Sequence, residues 1–408
     1  MSFQRVQTGV EVFLEGFLDS VQNKKVGLIT NPTGVNSQLT STVELFFNHN
    51  GIDLVALYGP EHGVRGEAQA GEYVPFFIDK KLNIPVFSLY GQSRKPDPGK
   101  LHNIDEYMRT FDTQDNGKYP EKEMVGNLDV MIFDVQDVGT RIYTYISTMA
   151  YSMLSCARAG IDFIVLDRPN PLNGVNMEGP LLEYPEFSSF VGLYPIPVRH
   201  GMTVGELAGL FNDKYLEQKV SLKVIPMLGW QREMWFDDTH LPWILPSPNI
   251  PDLSTAIVYP GQVLLEGTNI SEGRGTTKPF VLFGAPWIDG YDLSKKLNGL
   301  KLPGVKFMEA WFRPNFSKFS GQLCGGCQMF VEDRNVFEPF ASSLHIIDVI
   351  RTGYQRNFLF YPEYFDKTTG TSRVRESLER GDPVEKITKS CLRDVEQFAV
   401  ERKPYLLY

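Results

Sequence analysis

Residues 56–74, ALYGPEHGVRGEAQAGEYV, set an acid, an imidazole and a guanidinium within five positions: Glu61, His62 and Arg65. They follow the apolar run Leu54-Val-Ala-Leu57 and are threaded with glycine. A plain turn needs no such set, whereas proton transfer and anion holding do. A second loop of the same kind, LLEGTNISEGRGTTK, brings Glu266, Asn269, Glu272, Arg274 and Lys278 among three glycines. A third cluster holds Asp134, Asp137 and Arg141, with Tyr143 and Tyr145 just beyond. Asp134 ends an apolar run, where a buried carboxylate needs a partner or a ligand. Asn31 follows the first apolar strand.

Carboxylates, arginines, amides and aromatics together suit carbohydrate chemistry. One carboxylic acid protonates a leaving oxygen while a second group supports an oxocarbenium-like transition state. The guanidinium groups would suit a sugar that carries its own carboxylate, held bidentately. Other chemistries lack their signatures: there is no G-x-S-x-G elbow, no H-E-x-x-H and no Walker-type loop. Cys324 and Cys327 stand in a C-G-G-C spacing without a second ligand pair, so ordinary thiols at a Gly-rich turn are expected, and no cofactor or metal.

Structural readings compete at each position. Arg65 could pair with Glu67 or Glu72, Asp137 with Arg141 at helical spacing, and Asp167 with Arg168. Tyr143 and Tyr145 read first as packing residues, and His200 as an ordinary turn histidine.

These residues need a frame. Lys25–Thr30, Leu54–Tyr58, Pro85–Leu89, Val130–Val135 and Ile161–Leu166 read as strands. Ser41–His49 and Thr144–Ala159 read as helices between them, the latter stopped by Gly160. Alternating strand and helix, with strands apolar on both faces, predicts a doubly wound parallel sheet in an α/β domain. Such sheets bind ligands at the strands' carboxyl ends, where Asn31, Glu61-His62, Tyr90, Asp134–Arg141 and Asp167–Asn170 fall. No Gly-x-Gly-x-x-Gly follows the first strand, so nucleotide binding is not expected. Thr203 and Glu206 have capping-box spacing for another helix. Trp230–Pro251 reads as an interdomain loop, a short helix as beginning at Pro260, and Ser372–Arg402 as two helices split by Gly381-Asp382-Pro383. A smaller C-terminal α+β domain is the expectation, with domains at 1–228 and 229–408.

At 408 residues the chain is long enough for two cores, and 42% hydrophobic with 22% charged residues places it among folded globular proteins. A net charge of −9 argues against nucleic acid as the main partner. The N-terminal segment carries Arg5, Glu11 and Glu15 instead of a signal-type apolar core, and Ile142–Ala157 is too short to span a membrane. A cytoplasmic protein is expected from the chain as written, or a periplasmic or secreted one if a longer precursor exists.

GLITNPTGV, YGPEHGVRG, FDVQDVGTRIYTYISTM, DRPNP, RHGMTVGELA, SPNIP, EGTNISEGRGTTKPF and PYLLY, in this order, resemble the NamZ-type exo-β-N-acetylmuramidases of bacteria. The resemblance runs from about Val26 to Tyr408. It implies a Rossmann-like N-terminal domain, a smaller C-terminal domain, and a site in the cleft between them. It also implies release of N-acetylmuramic acid from the non-reducing end of peptidoglycan fragments in cell-wall recycling, with Glu61-His62 as the catalytic centre. Glu61 is expected to be the general acid, its pKa raised by partial burial. The second group stays open among Glu266, Glu272, Asp134, Asp137 and the substrate's own N-acetyl group. A basic patch of Arg65, Arg141, Arg274 and Lys278 is expected to hold the lactyl carboxylate. The competing readings are a non-catalytic muropeptide-binding or sugar-binding protein using the same cleft, and a metal-dependent hydrolase using Asp134, Asp137 and His62.

Overall fold

The computed structural model describes residues 5–69, 71–72, 74–89 and 128–408. Tyr90, expected on the rim, lies outside the described residues. In chain order the first strands are β1 (Lys25–Thr30), β2 (Asp53–Gly59), β3 (Phe77–Asp79), β4 (Ile84–Ser88), β5 (Val130–Asp134) and β6 (Asp162–Leu166). Then follow β7 (Glu178–Leu181), β8 (Pro197–Arg199) and β9 (Leu222–Ile225). Seven of them form one sheet in the order β3-β4-β2-β1-β5-β6-β9, parallel throughout except for β3. Without the edge strand β3, the succession is that of a doubly wound dinucleotide-binding sheet, and the chain order reverses between β1 and β5.

Burial on both faces explains why these runs are continuously apolar. Ile29, Phe133 and Phe163 point into one core layer, while their neighbours Leu28, Ile132 and Ile164 point into the other. The second layer is covered by α1 (Gly9–Gly16) and α2 (Thr42–Phe47), which contribute Phe13 and Phe46. The first is covered by α3 (Tyr145–Ala159) and α4 (Val204–Lys214), which contribute Met149 and Phe211. Local chemistry sets the helix ends: Ser41 accepts from Glu44 N at 3.1 Å, Thr203 and Glu206 form a reciprocal capping box, and Gly160 ends α3.

The long loop after β9 holds only a short 3-10 turn, Phe236–Thr239, before α5 (Leu253–Gln262). This helix starts earlier than Pro260 suggests. Asp252 caps it by accepting from Thr255 N at 2.8 Å, and Pro260 sits inside near its end. The remaining elements are β10 (Leu282–Ala285), α6 (Gly290–Gly299), β11 (Val305–Phe312), β12 (Cys324–Val331), α7 (Pro339–Gly353), α8 (Pro362–Thr369), α9 (Arg373–Arg380) and α10 (Val384–Glu401). The three strands form an antiparallel sheet with β12 central.

Cys324 and Cys327 lie in that central strand, buried and free, instead of at a turn. Gly325 and Gly326 between them serve close packing: a Cβ on Gly326 would stand 1.9 Å from the Phe283 carbonyl oxygen.

One hydrophobic cluster runs through both sheets, joining Phe133 and Phe163 to Phe283 and Phe307. From the C-terminal part, Arg402 donates to the carbonyls of Gly174 (3.0 Å) and Gly201 (2.6 Å) in the first. Among the described residues no helix is long and apolar enough to cross a membrane.

Candidate active site

A cleft of about 580 Å³ opens off the carboxyl edge of the large sheet, the size of a small-ligand site. Its walls come from both halves of the chain. Glu61, on the turn after β2, lies on one side, partly buried. Its Oε2 accepts from the Thr144 hydroxyl at 2.8 Å, just ahead of α3, and its Oε1 from Gly71 N at 3.1 Å. The carboxyl group is thus aimed from two directions.

His62 takes a left-handed backbone conformation, φ 75°, which costs a side-chain-bearing residue free energy. The turn is held by Gly63 N donating to Pro60 O (2.9 Å) and by the imidazole, whose Nδ1 lies 2.7 Å from Ala68 O. A carbonyl only accepts, so Nδ1 carries a proton and the neutral ring keeps its Nε2 lone pair. Burial holds the His62 pKa below its ordinary 6.5. The charge on Glu61 and the bond to Ala68 O oppose that shift, and Arg274 adds to it.

Across the cleft, Glu266 is bound by Arg274 through Nε (2.9 Å) and Nη2 (2.7 Å), both on Oε1. Its Oε2 accepts from the Tyr364 hydroxyl at 2.6 Å. Burial works to raise the Glu266 pKa, but Arg274 and Tyr364 outweigh it and hold it below the usual carboxylate value. Glu272, 2% exposed, accepts from Lys318 Nζ at 3.0 Å and stands 3.6 Å from Arg274 Nε. Lys318 also donates to the carbonyls of Leu265 (2.8 Å) and Ile270 (3.0 Å), which staples the 264–278 loop in place.

The floor is aromatic. Tyr143 meets Tyr145 edge-on at 4.9 Å between centroids and Tyr259 at 5.8 Å, and Tyr259 meets Phe280 at 4.8 Å. These rings pack edge-on against one another and are almost wholly buried, Tyr143 keeping the most surface at 8% exposed. Tyr143 therefore does both jobs, packing and lining.

Several expected site residues serve the scaffold instead. Arg65 is largely exposed, stacks over Phe77 and pairs with Asp79 at 3.1 Å, not with Glu67 or Glu72. Arg141 is fully buried and donates to the carbonyls of Pro180, Ile196 and Thr368, not to Asp137; burial pushes its pKa down to about 9. Lys278 lies beside Asp252 at 3.4 Å. The expected basic patch thus reduces to Arg274 within the cleft. Among the described residues Lys318 is the second cation there, and three carboxylates offset the two.

Asp134 is gripped by Arg168 through Nε (2.5 Å) and Nη2 (2.9 Å) and by the Thr42 hydroxyl. The Arg168 guanidinium thus pairs with Asp134, while Asp167 takes only the Arg168 backbone N–H, at 3.0 Å. Asp167 accepts from Thr203, Gly205 N and Tyr408, and burial raises its pKa to about 7. Asp137 accepts from Gly139 N at 2.7 Å, with the fully buried His200 Nε2 3.6 Å away. Asn31 accepts from Thr33 N at 3.0 Å, which bends the chain out of β1. Asn269 bridges Asn357 O and Leu359 N. Asp134, Asp137 and His62 do not gather, and no group of three possible metal ligands occurs among the described residues.

Sequence reading missed Thr144, Ser247, Asn249, Tyr259, Lys318 and Tyr364 on the cleft wall. Ser247 and Asn249 lie in the SPNIP stretch, whose polar residues between prolines were the available signal. Lys318 sits in a loop whose fold-back no local pattern announces.

Fold and cleft together define a two-part α/β protein with an acid-lined, aromatic-floored pocket at the switch point of a doubly wound sheet. The chain belongs to the exo-β-N-acetylmuramidase NamZ family: the family's N-terminal model matches residues 26–119 and 115–254, and its C-terminal model residues 257–408. It is 49% identical over 405 residues to the peptidoglycan β-N-acetylmuramidase NamZ of Bacillus subtilis strain 168, covering 99% of this chain and 92% of that protein. Two crystal structures of DUF1343 family proteins from Bacteroides fragilis NCTC 9343 are similar in fold. One superposes with a TM-score of 0.87 at 35% identity, the other with 0.75 at 29%, each over 99% of both chains.

Proposed function

We propose that this chain is an exo-β-N-acetylmuramidase, a glycoside hydrolase that releases terminal N-acetylmuramic acid from the non-reducing end of peptidoglycan fragments. The observation that carries the reading is Glu61, a carboxyl group aimed into the cleft by Thr144 and Gly71 and facing an opposite wall kept anionic by Arg274. Glu61 acts as the general acid, giving its proton to the leaving glycosidic oxygen. Glu266 supplies fixed negative charge toward the developing oxocarbenium ion and is the first candidate for the second catalytic group, ahead of Glu272. Neutral His62 borders the acid and keeps a lone pair for a hydroxyl proton. Arg274 spends Nε and Nη2 on Glu266, and its Nη1 has no hydrogen-bond partner among the described residues. That arm reads the lactyl carboxylate.

The test is turnover of a muramyl disaccharide by Glu61→Gln with folding checked by circular dichroism. Acid–base catalysis contributes roughly 10²–10⁴-fold. A loss in that range is expected, and a loss below about tenfold would reject the role. NMR of the first-formed anomer of the released sugar distinguishes retention from inversion.

A further inference from the structure

Loop 313–321 forms part of the cleft wall and holds two side-chain-bearing residues in the left-handed region, Ser317 at φ 68° and Phe319 at φ 58°. Such conformations persist only where their surroundings over-determine them. Here they do. Asn315 N donates to Gly275 O (2.9 Å), Gly321 N to Pro314 O (2.8 Å), and Ser320 Oγ to Asn315 O (2.9 Å). Lys318 is driven inward onto Leu265 O, Ile270 O and Glu272. At Gly275 a Cβ would lie 2.5 Å from Phe316 O and 2.7 Å from Phe316 N, so only glycine admits the loop this closely.

What the pinned loop presents is Phe316, 43% exposed; among the described residues it shares the exposed part of the wall with Tyr364, 38% exposed and held through its hydroxyl by Glu266, whereas Tyr143, Tyr145, Tyr259 and Phe280 are buried. Exposure thus rises from the buried rings toward Phe316 and Tyr364, and of these two only Phe316 is an apolar ring with no hydroxyl engaged on Glu266, which orients the cleft. A terminal sugar, which has no neighbour on its non-reducing side, suits the buried end. The rest of the substrate must leave through the exposed end.

We infer that Phe316 is the platform for the sugar on the leaving-group side of the scissile bond, its ring packed against the C–H face of that pyranose. The inference rests on the proposed function and adds a specificity-determining residue to it. A neutral stacking contact made before and during bond cleavage is uniform binding, which appears in KM more than in kcat.

The test compares a muramyl disaccharide whose second ring is N-acetylglucosamine with muramyl fluoride, whose leaving group has no ring. Phe316→Ala should lower kcat/KM on the disaccharide by about fivefold through KM, in line with an aromatic contact. The fluoride should be cleaved as by wild type, and Phe316→Trp should restore the disaccharide. Equal losses on both substrates, or none on either, would overturn the platform. In a Glu61→Gln background, calorimetric titration gives the same comparison without turnover: Phe316→Ala should weaken the disaccharide but not free N-acetylmuramic acid. Wild type that leaves the disaccharide uncleaved would fail the functional reading alone, because the titration still decides the platform.

Discussion

Thr144 donates its hydroxyl to Glu61 Oε2 at 2.8 Å and thereby ties the turn after β2 to the start of α3, 83 residues further along the chain. A bond to a carboxylate is worth about 1.5–3 kcal/mol when ionised, and here it fixes one oxygen while leaving the group within the cleft. Thr144→Val is expected to lower kcat about tenfold, which is about 1.4 kcal/mol of transition-state stabilisation. Thr144→Ser should restore most of it. Equal kcat for wild type and valine variant would show that the acid is aimed without this hydroxyl.

Selectivity for muramides over glucosaminides should rest on Arg274 and not on Arg65. Arg274→Lys keeps a charge beside Glu266 but loses the planar fork. The ratio of kcat/KM values on the two glycosides should fall by about tenfold or more, from the loss of a charge-assisted bond to the lactyl group. Arg65→Ala removes an exposed pair to Asp79, of the kind worth about 0–1 kcal/mol, and should leave that ratio unchanged. A ratio that responds to Arg65 and ignores Arg274 would move lactyl recognition out of the cleft.

His62 makes stability depend on pH in a stated direction. Its pKa in the folded protein lies below 6.5, so on acidification the unfolded chain takes up the proton first. The contribution is complete above pH 6.5 and is lost as the pH falls from there to the folded value. Urea midpoints of wild type should therefore drop on this interval more steeply than those of His62→Gln. Parallel curves would mean that the ring titrates alike in both states.

Asp134 and Arg168 are predicted to matter for folding alone. Removing one partner of a buried ion pair costs about 3–5 kcal/mol, so Asp134→Ala should lower the unfolding free energy by that much, read from an earlier urea midpoint at unchanged slope. Turnover per folded molecule should stay close to wild type at low temperature. Normal stability with lost turnover would return Asp134 to the substrate.

The large sheet was legible because its strands are buried on both faces, which leaves a continuous apolar signature at Val130–Asp134 and Ile161–Leu166. The polar partners were not legible, because they are set by strand order. Arg168 turns away from its neighbour Asp167 to reach Asp134, since β5 and β6 lie side by side with Phe133 opposite Val165. Arg65 finds Asp79 on the β3 edge strand, beyond both nearer acids. Glycine-rich loops announced Glu61, Glu266, Glu272 and Arg274 on the cleft wall; their hydrogen-bond partners depended on how distant segments meet.

The hydrophobic cluster shared by both sheets has a consequence for how substrate arrives. Tyr143 and Tyr145 come from one half of the chain, Tyr259 and Phe280 from the other, and their edge-on contacts make a single floor. Drawing the two halves apart would break these ring contacts, each of a kind worth about 0.5–1.5 kcal/mol. The cleft is therefore a standing receptacle, in which a sugar meets groups already in place and little ordering entropy is lost on arrival. Association should be a single encounter step, with differences between related fragments expressed in how long each one stays.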